Sequence, residues 1–209
     1  MEDRLSSTTA PARNGKPIGI GAGGGPEKDN PVADLLGVID ELNSYIGLAI
    51  SCAAWPKTPK ILTAVQHDLV DFAAGIGTPD QPLLTALHVG RLERQFENAS
   101  RGLAPLKDYI LPGGSQSASQ VHVSRAVCRR AEQCLVSLAG LEDQAPTMIR
   151  TRSDRDRYRY GMAYLDKLSD LLFVIARQEN KAADHPEVPW QPEREMTLVV
   201  DGDEDPYLC

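Results

Sequence analysis

The stretch SRAVCRRAEQC, residues 124–134, decides how the chain is read. It lies inside a run, 115–141, whose apolar residues recur at helical spacing and which Ser115 can cap. Within it Arg125, Arg129 and Glu132 fall at i, i+4 and i+7, so they stack on one face of the helix. A charge stripe on a helix is usually the solvated side. Here the question is whether it is a site.

Four further segments carry the same periodicity, and they surround this one. The first spans 31–54, with Asn30 as cap and Pro31 in the first turn, and buries Leu35, Val38, Ile39, Leu42, Ile46 and Ala49. The second spans 58–75, through Ile61, Val65, Leu69 and Phe72. The third spans 81–103, through Leu84, Leu87, Val89, Leu92 and Phe96. The fifth spans 153–183, from Tyr160 and Met162 to Val174 and Ile175. Strand signals are nearly absent; TLVV at 197–200 stands alone. Five helices with short connections predict an all-α fold, a five-helix up-and-down bundle. Residues 1–29 read as a glycine-rich, loop-like N-terminal arm, 30–183 as the bundle, and 184–209 as an acidic tail containing four prolines.

Composition narrows the function. The chain has 209 residues, 42% hydrophobic but only 5% aromatic, so the core is aliphatic. A formal charge of -7 argues against a nucleic-acid surface or a polybasic membrane anchor, and no run approaches a membrane span. The N-terminus has no apolar signal region. No CxxC pair occurs, and Cys52, Cys128 and Cys134 read as buried free thiols of a reducing compartment, which points to the cytoplasm.

Several motifs are weaker than they look. GIGAGG at 19–24 fits a dinucleotide fingerprint, yet prolines flank it and no βαβ unit is in sight. A glycine loop can still wrap a phosphate with its backbone N–H groups. His67, His88, His122 and His185 form no metal-ligand spacing, so no metal site is assigned. Asp40, in GVIDELNS, and Asp170, in KLSDLLFVIAR, each stand among apolar residues, where a carboxylate wants a cation. Charge near the buried face of three helices suggests a polar site within the bundle or at a subunit seam, with structural salt bridges as the open alternative.

Five strings then occur in order: GVIDELNSYIGLA (37–49), HDLVDFAAGI (67–76), YILPGGS (109–115), RAVCRRAEQ (125–133) and YLDKLSDLLFVIARQEN (164–180). Together they resemble the PduO-type ATP:cob(I)alamin adenosyltransferases, over about residues 28–180. The resemblance implies a five-helix bundle assembled as a homotrimer with active sites at subunit interfaces. It implies transfer of the 5'-deoxyadenosyl group of ATP to the cobalt of a reduced corrinoid (cobalamin), with release of triphosphate. ATP, Mg²⁺ and the corrinoid are the implied ligands, and an adenosylcobalamin-dependent acceptor enzyme a possible partner. By position, Arg125 matches an arginine paired with Asp40. Arg129 matches one on the triphosphate, and Glu132 an acid of the nucleotide site. Tyr109 matches a phenylalanine that closes the lower corrinoid face. Asp166, Lys167 and Asp170 match an Asn-Arg-…-Asp string, and Lys28 a lysine after the phosphate loop.

The chain departs from the family at four places. ARNGKPIGIGAGGGPEK, residues 12–28, lacks the Thr-Gly-Asp of the family loop. Asp166 replaces an asparagine, Lys167 an arginine, and Tyr109 the phenylalanine. The alternative function these leave open is a non-catalytic corrinoid-binding or regulatory homologue.

Overall fold

The computed structural model describes residues 30–77, 84–143 and 152–192. The glycine-rich arm with Lys28, and TLVV, lie outside the described residues. Five helices follow: α1 (Pro31–Ser51), α2 (Thr58–Gly77), α3 (Ala86–Ser100), α4 (Gln116–Asp143) and α5 (Arg152–Ala182). Among the described residues the only strand-like pairing is a single bridge between Ile110 and Pro189. The fold is the all-α bundle that the periodicity predicts.

Local chemistry sets the helix starts. Asn30 Oδ1 accepts from the N–H groups of Val32 (3.1 Å) and Ala33 (3.4 Å), and Pro31, which has no N–H to leave unpaired, takes the first helical position. Ser115 Oγ accepts from Ala118 N–H at 3.2 Å and opens α4. Helix α3 starts later than its apolar run suggests, because Thr85 caps it. Leu87 N–H donates to Thr85 Oγ1 (3.3 Å), and Thr85 N–H donates to His88 Nδ1 (3.1 Å), closing a reciprocal cap.

Helix α5 is the axis. It packs most extensively on α4, then on α3, and touches α2, while α1 lies against α4 and α2. Leu35, Ile39, Leu42 and Ile46 of α1 and Leu165, Leu168 and Leu172 of α5 are fully or almost fully buried. Each such side chain contributes roughly 1.5–3 kcal/mol of burial. Gly161 marks a close approach: a Cβ there would stand 2.7 Å from the Phe72 ring of α2 and 3.0 Å from Leu135 of α4. Two expectations change. On α3 only Leu92 and Ala99 are buried; Leu87 and Phe96 face outward, because this edge helix meets the bundle along a narrow line. Of the three inner thiols, Cys128 is buried but Cys52 and Cys134 are only half-buried.

One end of the bundle is organised by the last polar turns of α5. Glu179 is fully buried, and its carboxyl oxygens accept from Ala54 N–H (2.6 Å), Trp55 N–H (3.1 Å) and the Thr58 hydroxyl. Gln178 donates to Ala99 O. Asn180 donates to Gly113 O (3.1 Å) and accepts from Ser115 N–H (2.8 Å). Arg177 holds Ala104 O (2.8 Å) and pairs with Glu187 (2.7 Å). The α1–α2 and α3–α4 connections and the segment after α5 are thus all tied to four consecutive residues, about one turn, at the end of one helix. Gly114, at φ 110°, sits against Asn180, where no side chain fits.

Candidate active site

The opening stripe lies on the α4 face that borders α1 and α5. Arg125 is half-buried, with its guanidinium over the Phe173 ring of α5, 5.8 Å from its centroid. Its Nε is buried and finds no hydrogen-bond partner among the described residues. One turn earlier His122 is 5% exposed, its ring 6.2 Å from that of Phe173, and neither ring nitrogen has a partner among the described residues. Burial, and after it the Arg125 charge, pushes the imidazole down from 6.5 to about 4, against a weaker pull from Glu187. Three neighbouring polar atoms thus lack partners among the described residues.

One turn further along, Cys128 crosses to α5, its Sγ donating to Leu165 O at 3.3 Å. Burial pushes this thiol well up; the carboxylates of Glu132 and Asp166 add to the rise and Arg129 opposes it. Glu132, Arg129 and Asp166 are therefore gathered around one thiol. Arg129 is exposed, Glu132 half-buried. On α5, Lys167 lies 3.2 Å from Asp166 and 3.8 Å from Asp170, all near the surface. The hydrogen bond to Asp166, then its charge, raises the Lys167 pKa, with Asp170 and Glu93 adding.

The remaining expected residues are placed apart. Asp40 is exposed, and no ion pair joins it to Arg125 among the described residues; the adjacent Glu41 pairs with Arg130 instead. Asp40 and Asp170 do not face the bundle interior, because their positions fall at the edge of the apolar stripes. The charge cluster lies on an outer face of the chain and not inside the bundle. Tyr109 is 82% exposed in the α3–α4 connection. Its carbonyl accepts from Trp190 N–H (2.7 Å), Leu111 N–H donates to Val188 O (2.8 Å), and the Tyr109 and Trp190 rings meet edge to face at 6.5 Å. The segment after α5 thus lies along the loop that carries Tyr109. Sequence reading missed His122, Phe173 and Trp190 as members of this region. The i, i+3 spacing of His122 and Arg125 was the available signal.

The unpaired imidazole gives a test of this geometry. The unfolded histidine titrates near 6.5 and the folded one near 4, so between them the unfolded chain binds more protons. This contribution to stability is complete above about 6.5 and falls as the pH drops from 6.5 towards 4. Urea midpoints measured across that window are expected to fall less steeply in a His122→Leu variant than in the parent. Parallel slopes would assign the loss to carboxylates.

The chain is thus an all-α bundle with an arginine-bearing outer face on α4, on which Arg125 Nε is buried without a partner among the described residues. Residues 19–179 match the family profile of cobalamin adenosyltransferase, and the chain belongs to that family. A cobalamin adenosyltransferase from Cupriavidus metallidurans is 37% identical over 198 residues, 93% of this chain and 100% of the relative. Among solved structures, an arginine-to-lysine variant of a PduO-type ATP:co(I)rrinoid adenosyltransferase from Lactobacillus reuteri, complexed with ATP, superposes with a TM-score of 0.66. It is 28% identical and covers 78% of this chain and 89% of its own. A phenylalanine-to-alanine variant of the PduO-type enzyme from that organism, complexed with cobalamin and ATP, gives 0.64 at 27% identity, covering 78% and 88%.

Proposed function

We propose that this chain transfers the 5'-deoxyadenosyl group of ATP to the cobalt of a reduced corrinoid, yielding adenosylcobalamin and triphosphate. The observation that carries the reading is the α4 face, with Arg125 Nε buried and unpartnered and Arg129 exposed beside it, in a member of this family. Arginine stays charged and presents donors in a planar fork, which suits a leaving triphosphate. Arg129 is assigned to the triphosphate and Glu132 to the nucleotide, with Asp166, Lys167 and Asp170 along the same edge. Tyr109 is assigned to the lower face of the corrinoid. Arg125 and Asp40 are assigned as a pair across the seam of a homotrimer, since each lacks the other within the chain. Lys28 and the glycines around it complete the phosphate site on the strength of the resemblance alone.

Among the described residues no three or more His, Cys, Asp or Glu side chains converge as a metal cage. Mg²⁺ therefore fits as a companion of the triphosphate, where it would neutralise phosphate charge. Among the described residues no helix is long and apolar enough to cross a membrane. We place the enzyme in the cytoplasm, handing its product to an adenosylcobalamin-dependent acceptor.

The test is calorimetric titration of Mg²⁺–ATP into the purified protein, with reduced cobalamin followed spectroscopically in parallel. ATP binding with growth of the adenosylcobalamin spectrum is expected. Cobalamin binding without ATP binding would mark a non-catalytic corrinoid-binding homologue. The same assay checks Asp166. A carboxylate beside the triphosphate repels it by on the order of 1 kcal/mol, so Asp166→Asn is expected to lower the KM for ATP about fivefold. An unchanged KM would place Asp166 away from the phosphates.

A further inference from the structure

The α3–α4 connection is anchored to α5 at both of its ends. Lys181 Nζ donates to Gly102 O (2.7 Å) and Arg177 to Ala104 O (2.8 Å), while Asn180 donates to Gly113 O (3.1 Å). Between these anchors the loop pairs with the segment after α5, through Leu111 N–H to Val188 O and Trp190 N–H to Tyr109 O. Ile110 and Pro189 stand opposite each other in this short antiparallel ribbon. That pair exchanges no hydrogen bond, so the missing N–H of Pro189 costs the pairing nothing. Side chains alternate along a strand, and directly opposed residues share a face. Tyr109, Leu111, Val188 and Trp190 therefore fall on one face of the ribbon, and all four are exposed. Ile110 falls on the other face and is half-buried. The segment that carries Val188 and Trp190 is itself fixed, since Glu187 pairs with Arg177 through two contacts (2.7 and 3.1 Å).

The Tyr109 ring stands out from this ribbon. The Trp190 ring, directly opposite, meets it edge to face with planes at 81°, an arrangement aromatic pairs favour. An exposed aromatic ring hops between rotamers unless a neighbour blocks it, and here the indole takes up the space beside the phenol ring. On the assignment of Tyr109 made above, we infer that Trp190 is its positioning residue: the indole holds the phenol ring in the orientation that closes the lower face of the corrinoid. Trp190 acts through Tyr109, by reducing the rotamer freedom that the ring must give up when the corrinoid arrives. Cobalamin brings a nitrogen base of its own to the lower side of cobalt. That base and the Tyr109 ring compete for one place. A ring held in advance keeps the base off the metal, and a ring free to turn lets the base return.

A double-mutant cycle in the full-length chain tests this role. Trp190→Leu is expected to lower kcat about threefold to tenfold and to leave the KM for Mg²⁺–ATP unchanged. The visible spectrum of bound cob(II)alamin should shift towards the form with its base on cobalt. Trp190→Phe keeps a ring at the position and should recover most of both effects. In a Tyr109→Leu chain, adding Trp190→Leu should change neither kcat nor the spectrum further. Fluorine NMR reads the contact without any ligand. The chain has two tryptophans, Trp55 and Trp190, and in fluorotryptophan-labelled protein the Trp190 resonance should move on Tyr109→Leu while that of Trp55 stays. Trp190 is exposed and lies beyond the last helix, so the fold is retained, and circular dichroism checks it. With an active parent, an unchanged kcat and spectrum in Trp190→Leu would overturn the inference and leave the proposed function standing. Additive losses in the double variant would overturn it too, because Trp190 would then act without Tyr109. So would a Trp190 resonance that ignores Tyr109→Leu. A parent chain that neither binds nor converts cobalamin would remove the proposed function, and this role with it.

Discussion

Glu179→Ala is expected to destabilise the chain by about 2–4 kcal/mol, read as a lower urea midpoint at unchanged slope. The carboxyl group is fully buried and accepts from two backbone N–H groups and one hydroxyl, all from residues 54–58. Those donors sit where the chain turns from α1 into α2 and have no helical carbonyl to use. Truncation strands all three, and each unpaired donor costs about 1–3 kcal/mol when buried, less where water reaches it. The Ala54 end is partly open, so the sum stays below three full penalties. Two controls isolate the cause. Thr58→Ala strands one atom, Glu179 Oε1, instead of three donors, and should cost less, about 1–2 kcal/mol. Glu179→Gln keeps the shape but turns an amide N–H towards a donor, so it should fall between the two. A Glu179→Ala loss below about 1 kcal/mol would show that water replaces the carboxylate, and that the turn is held by other contacts.

The same residue shows where sequence reading stops. The α5 pattern is legible because Leu165, Leu168 and Leu172 repeat at the spacing of one helix face, and burial follows from that spacing alone. The string ARQEN, 176–180, continues the helix, but its polar side chains break the pattern, and nothing local says what they bind. Their partners lie 65 to 125 residues away, at Ser115, Gly113, Ala99 and Ala54. Polar side chains recognise loops by geometry that only the folded chain supplies. The α3 start was misplaced for a related reason: a histidine three residues after the cap does the work usually read from Glu or Gln. On α4 the reverse holds. Arg125, Arg129 and Glu132 were legible as one face, since helical spacing settles it. That Arg125 and His122 carry buried, unpartnered atoms was not legible, because it depends on Phe173 from α5 closing over them.

Arg129→Ala is expected to lower turnover by about 10³-fold or more and to leave corrinoid binding nearly intact. The side chain is exposed in the chain and forms no ion pair among the described residues, so its removal strands no buried group and costs the fold little. Its neighbour Arg130 differs, since its charge is engaged by Glu41 on α1. The two adjacent arginines therefore separate function from structure. Arg130→Ala should change stability by less than about 1 kcal/mol, as for other exposed pairs, with turnover largely kept. For Arg129 the loss should fall on ATP. Triphosphate departure builds negative charge that a guanidinium can meet with two parallel donors, and alanine offers none. Arg129→Lys restores charge without the fork, so partial recovery would show that charge matters, and the remaining deficit would measure the bidentate geometry. Calorimetry with Mg²⁺–ATP and growth of the adenosylcobalamin spectrum read the two halves separately. Full turnover in Arg129→Ala would remove this residue from the triphosphate site and move the assignment to Arg125, whose unpartnered Nε then becomes the remaining donor on that face.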